Sequence, residues 1–427
     1  MAFIGGGIMK KKILFKAPVL TRSGYGEQSR FALRALRTRS DLFDIYIQPL
    51  SWGQTSWVCE EDAERTWINQ TIEKTIAHIQ QQGSYDASFQ VTIPNEWEKV
   101  APINIGFTAG METTQVAHQW IQKGDEMDRI VVVSNHSKKT YKDTAYLATN
   151  KITNEEHQIQ LQTEIDVVNY PVKDFGECSP LELDLKTDFN FLAMAQFGPR
   201  KNMPNTIKWF IEEFHNDNVG LVVKSNIAKN STMDREKLFY DLRMMLSNFP
   251  NRKCKVYLLH GDLDDKEIHS LFEHPKIKAL ITLTHGEGFG LPIFEAAYTG
   301  LPVVAPGWSG QLDFLVNTDT GKSEFYNVEY DLNQIPEQVA WDGVIIKESQ
   351  WAYPRQHSAK QKMRECYSDL TSENSEEIVK RFLNHADYLH EKFSEEKQNR
   401  LMVESVCKAL NISPDNEQSE QIVLEFD

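Results

Sequence analysis

The sequence is poor in cysteine. Five thiols, Cys59, Cys178, Cys254, Cys366 and Cys407, stand at wide and irregular spacings, with no Cys-x-x-Cys pair and no Cys/His cluster. That excludes a disulfide framework and a structural zinc site as the basis of the fold. Long apolar runs are missing too. Nothing approaches the roughly 20 residues that cross a bilayer, so no transmembrane segment is expected. Positive charge is in deficit, with 46 Lys and Arg against 61 Asp and Glu, for a net charge of −15. This excludes a generally basic nucleic-acid-coating protein, although one local basic groove remains compatible with it. No segment of roughly 20 to 50 residues repeats, which removes solenoids and propellers. Lys10, Lys11 and Lys12 follow the apolar start of the chain instead of preceding a longer apolar core. No secretory signal is therefore read, and the expected location is cytoplasmic.

What is present is a rhythm. Short β-branched apolar runs alternate with longer amphipathic stretches, the pattern of βα units on a parallel sheet. In the first half the expected strands are 13–17, 43–47, 87–91, 103–107, 130–133 and 165–168, with helices at 29–36, 60–80 and 115–122 among them. A second series of strands follows at 189–193, 220–223, 256–259, 277–283 and 303–305. Between the two, at 173–188, Gly176, Pro180 and several acids interrupt the periodicity. For 427 residues, at roughly 150 per domain, the economical reading is an α/β protein of two doubly wound, Rossmann-like domains, 1–180 and 181–385. A helical segment at 386–412, packing back on the first domain, and an acidic tail at 413–427 complete it.

The most informative stretch runs Thr284-His285-Gly286-Glu287-Gly288-Phe289-Gly290-Leu291-Pro292-Ile293-Phe294-Glu295 and continues to Gly300-Leu301-Pro302-Val303-Val304. A buried strand ends at Leu283, a glycine-rich loop follows, and a helix starts near Pro292, a residue favoured in the first turn. Glycines at 286, 288 and 290 allow close approach of a ligand to the backbone, and the helix N-terminus offers unpaired N–H groups for a phosphate. Open α/β sheets place their ligands at such strand ends. Glu287 and Glu295, eight positions apart, allow one carboxylate to face a reacting group while the other binds a hydroxyl pair such as a ribose diol. Asp262-x-Asp264 resembles a metal-binding pair, but the acids precede a helical stretch where Asp is a preferred N-cap, so no metal follows.

Glu287-x7-Glu295, with Glu-Gly-Phe-Gly-Leu-Pro between and Gly-Leu-Pro-Val-Val-Ala after it, resembles the signature of retaining glycosyltransferases of the GT-B fold, specifically the GT4 type. The resemblance covers 189–314 well and the first half only in outline. It implies two Rossmann-like domains facing a central cleft, and transfer of a sugar from a nucleotide-diphosphate sugar to an acceptor hydroxyl with retention. Gln196-Phe197-Gly198-Pro199-Arg200-Lys201-Asn202 resembles the segment whose cations clamp the donor diphosphate, with Lys224 a further cation at a strand end. Here Arg200 follows Gly198-Pro199, whereas relatives often place a Gly-Arg pair directly after the strand. Gly288, Phe289, Gly290, Leu291 and Gly24 are implied on the same diphosphate, and Glu295, His260 and Gly261 on the ribose and base. Glu287 is the implied catalytic residue, with Glu112 as the polar contact from the first domain, or alternatively a helix cap. No metal is implied, and the nucleotide sugar is a co-substrate, not a cofactor. The acceptor stays open: a glycan, a lipid, a protein or, as in phage enzymes, a modified nucleobase. A catalytically silent nucleotide-sugar-binding protein is the non-enzymatic alternative. Neither the oligomeric state nor the sugar is readable.

Overall fold

Strands buried on both faces need helices on both faces, and the first half of the chain is written for that arrangement. In β1 (Lys11–Ala17) the side chains of Ile13, Leu14, Phe15 and Ala17 are all buried. The computed structural model describes residues 9–53, 55, 57–58, 61–149, 154–179 and 181–414, so Cys59 and nearly all of the expected acidic tail lie outside it. β1 is followed by β2 (Phe43–Pro49), β3 (Ala87–Val91), β4 (Ile103–Thr108) and β5 (Arg129–Val132). A hairpin of β6 (Ala145–Thr149) and β7 (Glu156–Gln160) then leads to β8 (Ile165–Val167). The sheet is parallel, in the order β2-β1-β3-β4-β5-β8.

The second half repeats the plan with β9 (Asn190–Met194), β10 (Gly220–Lys224), β11 (Lys255–Leu259), β12 (Ile277–Ile281), β13 (Val303–Pro306) and β14 (Tyr326–Val328). Their order is β11-β10-β9-β12-β13-β14, again parallel. Each sheet therefore reverses its direction of growth once, between β1 and β3 and between β9 and β12. Such switch points leave a crevice at the carboxyl ends of the strands, where ligands bind in open α/β sheets. The expected strands are present within a residue or two, as are the two doubly wound domains. The hairpins were not anticipated: β6 and β7, and an antiparallel pair of β15 (Tyr330–Gln334) and β16 (Gln350–Pro354). Both ride outside the sheets, and β7 and β15 are mostly exposed, so no buried apolar run marks them in the sequence.

Local chemistry sets the helix starts. Ser23 caps helix Gly24–Arg37 by accepting from the Gly26 N–H at 2.9 Å. Gly26 is obligatory there, because a Cβ would sit 2.0 Å from the Thr21 carbonyl oxygen. Asp264 caps Asp265–Phe272 in a reciprocal capping box with Glu267. Its neighbour Asp262 accepts from the Asn230 amide, so the Asp-x-Asp pair serves structure.

Aromatic packing joins the halves. Phe289, behind the glycine loop, lies 5.2 Å from Tyr170 and about as close to Phe294 and Phe314. The Asp313 carboxylate reaches across to accept from the Asn135 backbone and side chain and from Asn169, at 2.9–3.1 Å. The last helix, Glu395–Leu410, packs on Gly24–Arg37, burying Met402, Val403, Val406 and Cys407. The boundary expected at 385/386 falls inside helix Ser375–Lys392, and the chain leaves the second domain at the Phe393–Ser394 break instead. Among the described residues no helix is long and apolar enough to cross a membrane.

Phe314 is fully buried in this aromatic cluster. Phe314→Ala should cost about 3–5 kcal/mol, as large aromatic truncations in packed cores do. Urea unfolding of the variant checks this, and a loss under about 1 kcal/mol would show that the cluster tolerates a void.

Candidate functional site

Two loops flank the switch point of the second sheet. After β9 a single turn, Pro199–Lys201, ends at Asn202, whose backbone is left-handed with φ 53°, a conformation Asn tolerates. The Asn202 amide donates to the Leu283 carbonyl at 3.0 Å, and the His285 N–H donates to the Arg200 carbonyl at 2.8 Å. These bonds stitch the β9 loop to the β12 loop and bring Arg200 and Lys201 onto Glu287.

Glu287 is the centre of the site. Lys201 Nζ donates to both of its oxygens at 2.6 and 2.8 Å, and Arg200 Nη1 donates to Oε2 at 3.0 Å and to the Gly286 carbonyl at 2.6 Å. Burial alone would raise the Glu287 pKa, but the charges of Lys201 and Arg200 reverse this and bring it to about 2. Arg200 is held above its ordinary value, burial being outweighed by Glu112 and Glu287. Lys201 moves the other way: burial lowers it more than Glu287 raises it, and Arg200 adds repulsion. Glu112 arrives from the first domain with Oε1 3.4 Å from Arg200 Nη2. Two cations and two carboxylates thus share one site.

The loop after β13 holds Glu287 from behind. The Glu287 N–H donates to Ser309 Oγ at 2.8 Å, and the Gly310 N–H donates to the Glu287 carbonyl at 2.9 Å. Ser309 adopts φ 72°, and a Cβ on Gly310 would lie 2.0 Å from the Gly288 carbonyl oxygen. Trp308-Ser309-Gly310 carries no motif that marks this role. The one available signal was a Ser-Gly pair directly after a buried strand.

Several of the expected residues also have close partners within the protein. A Cβ on Gly286 would meet the Glu112 carbonyl at 2.2 Å, and one on Gly288 the Ala109 carbonyl at 2.3 Å. These glycines, read as making room for a ligand, make room here for the backbone of the first domain. Gly290, at φ 97°, caps helix Leu291–Tyr298, so the helix begins one residue before Pro292. The Phe289 side chain belongs to the core, leaving only its backbone for a ligand. Gly24 opens its helix in free space, and Gly26 is the crowded position. Lys224 donates to the Gly261 carbonyl, and His260 Nε2 lies 2.9 Å from Asp234 Oδ1, which also accepts from the Ile227 N–H. This separate network secures the 225–231 loop. Among the described residues, no hydrogen bond or ion pair joins Lys224, His260 or Gly261 to Glu287, Arg200 or Lys201.

Glu295 faces a cavity of about 330 Å³ between the domains, lined also by Glu27, Lys173, Asp265 and Tyr298. Lys173 pairs with Glu27 at 3.0 Å and with Asp265 at 3.1 Å. Burial, aided by Asp265 and Glu27 and opposed by Lys173, pushes Glu295 up to about 7. Lys173 and Glu27 escaped the sequence reading because one lies in the interdomain linker and the other reads as an ordinary first-turn acid. Among the described residues no group of three or more His, Cys, Asp or Glu is arranged to hold a metal.

No protein-family model matches the sequence, and no curated protein does. Solved structures do match the fold. A glycosyltransferase from Rickettsia africae aligns at TM-score 0.60 and 15% identity, over 95% of this chain and 100% of that one. Sucrose-phosphate synthase from Thermosynechococcus elongatus aligns at 0.59 and 12%, over 95% and 100%. HepE from Anabaena, in complex with UDP and glucose, aligns at 0.55 and 12%, over 93% and 100%. At such identities the likeness shows the fold alone: two facing Rossmann-like domains of the GT-B type.

The raised Glu295 pKa has a testable sign. Between the ordinary value of 4.5 and about 7 the folded protein keeps a proton that the unfolded chain has released. Stability must therefore fall as pH rises through that window. The melting midpoint of Glu295→Gln should fall less than that of the parent between pH 5 and 7, measured by scanning calorimetry. Identical pH profiles would show that Glu295 is not held protonated.

Proposed function

We propose that this chain is a nucleotide-sugar-dependent glycosyltransferase that retains anomeric configuration. The observation that carries the reading is the Glu287 carboxylate gripped by Arg200 and Lys201 at the switch point of a GT-B fold, with Glu295 eight residues further on beside an interdomain cavity. HepE, of the same fold, was solved with UDP and glucose and with UDP-glucose, which supports a nucleotide sugar as donor.

Charge accounting suggests how the site works. With the donor absent, the two cations are neutralised by Glu287 and Glu112. A diphosphate, carrying about two negative charges, competes for the same cations and neutralises them in turn. Glu287, released from part of its pairing, is left with free acceptor oxygens for the hydroxyls of the transferred sugar. Arg200 and Lys201 then stabilise charge as it builds on the departing diphosphate, the main electrostatic task of the transfer. The acceptor hydroxyl enters on the face the diphosphate leaves, and its proton passes to that phosphate. Glu295, inside the cavity, serves the ribose diol. The two basic side chains carry the neutralisation, so the reaction proceeds without a divalent ion. Calorimetric titration of UDP and GDP with and without a chelator tests this, and loss of binding on chelation alone would overturn it.

Glu287→Gln and Glu295→Gln should behave differently. For Glu287→Gln, turnover of nucleotide sugars should fall by about 100-fold or more, roughly 2.7 kcal/mol. Removing one partner of a buried pair costs about 3–5 kcal/mol, and the lower end applies because both cations keep some contact with water. Added nucleoside diphosphate should recover that loss in a melting experiment, since it re-pairs the cations, whereas the nucleoside should not. Glu295→Gln should instead weaken nucleotide binding itself. Full turnover by Glu287→Gln would reduce the motif to a structural loop.

A further inference from the structure

Residues 335–349, between β15 and β16, leave the second domain and lie on the first. Val344 is buried in the first domain's core among Met111, Val116, Trp97, Trp120 and Tyr141, with Ile345 and Ile346 beside it. The Asn95 amide donates to the Gly343 carbonyl at 2.8 Å, while the Trp120 indole N–H donates to Asn95 Oδ1 at 2.6 Å. Gly343 has φ 72°, and a Cβ there would crowd Gln119 and Asn95 at 3.2–3.3 Å. The arm is therefore seated in a built socket, and the first domain's core is incomplete without a side chain from the second.

Where the arm returns, it touches both halves of the site. The Thr114 N–H donates to the Gln350 carbonyl and the Gln350 N–H donates to Thr114 Oγ1, each at 2.9 Å. The next residue, Trp351, stacks on the His285 ring at 4.8 Å between centroids and 14° between planes. His285 also exchanges bonds with Ala352: the Ala352 N–H donates to the His285 carbonyl at 2.9 Å, and His285 Nδ1 lies 2.6 Å from the Ala352 carbonyl oxygen. Thr114 is two residues after Glu112, and His285 two before Glu287.

We propose that this arm is a positioning device: through Thr114–Gln350 on one side and His285–Trp351 on the other, it sets Glu112 of the first domain against the Arg200–Glu287 cluster of the second. The two carboxylates belong to different domains, so the Glu112–Arg200 contact depends on how the domains are held together. The arm joins the domains at a point separate from those ion pairs, alongside the Asp313 bonds and the last helix. Thr114, Gln350 and Trp351 are thus positioning residues. Their kinetic consequence rests on the glycosyltransferase reading, while their structural consequence does not.

Thr114→Val keeps the shape and removes the hydroxyl that Gln350 uses, and Thr114→Ser keeps the hydroxyl. Val344→Ala loosens the far end of the arm by another route. Amide hydrogen exchange of the full chain without substrate should accelerate together over 109–116, 284–290 and 343–352 in Thr114→Val and in Val344→Ala. It should stay at the parent rate over Gly220–Lys224 and over all of these segments in Thr114→Ser. With a nucleotide-sugar donor, kcat should fall about tenfold in both loosened variants with the donor KM nearly unchanged, and Thr114→Ser should restore it. Acceleration confined to the mutated segment, or unchanged kcat despite coupled acceleration, would overturn the proposal. Should the parent protein turn over no donor, the functional reading fails, and the exchange pattern alone still decides whether the arm couples the two loops.

Discussion

One carboxylate organises this molecule. Glu287 is buried, and burying a charge is tolerable only when partners replace the lost water. Lys201 and Arg200 do so from a loop 86 and 87 residues away in sequence, and that pairing requires β9 and β12 to be neighbours. The parallel order β11-β10-β9-β12-β13-β14 provides it. Everything next to Glu287 serves its placement: Ser309 and Gly310 bond its backbone, Asn202 ties the loops together, and Glu112 reaches Arg200 from across the cleft.

The second constraint is how closely the domains meet. Glycines at 286 and 288 bring the backbones of the two domains closer than any side chain would allow. Phe289 turns away from the cleft and joins Tyr170, Phe294 and Phe314, so the loop that carries the charge is anchored in the aromatic core. Asp313 and the arm at 335–349 add polar and apolar links at separate points. The site is therefore a property of the pair of domains. Its electrostatics also divide into two regions: a neutralised cluster at Glu287, and an acidic cavity at Glu295 where Lys173 is shared between Glu27 and Asp265.

Much of this is legible in the sequence. Alternating apolar and amphipathic runs report on the chain's own local environment, so strands, helices and the two-domain plan could be read from them. A glycine-rich loop opening a helix after a buried strand is also local, and it located Glu287. Grouping Lys224, His260 and Gly261 with the diphosphate and base subsites rests on the family resemblance and on their places at strand ends. In the folded protein His260 lies on Asp234, which accepts from the Ile227 N–H, and Lys224 donates to the Gly261 carbonyl.

The βα series, the loops that end β9 and β12, and the residues with chemical capacity on them are written in the chain. Which of those residues meet follows from the fold. The reason is that the side-chain pattern of a fully buried parallel strand is the same whichever strand lies beside it, so strand order carries no local signature. Order brings Arg200 and Lys201 onto Glu287, while the packing of one domain on the other gives Glu295 a cavity with Glu27 and Lys173 and seats an arm with no periodic pattern in the opposite core.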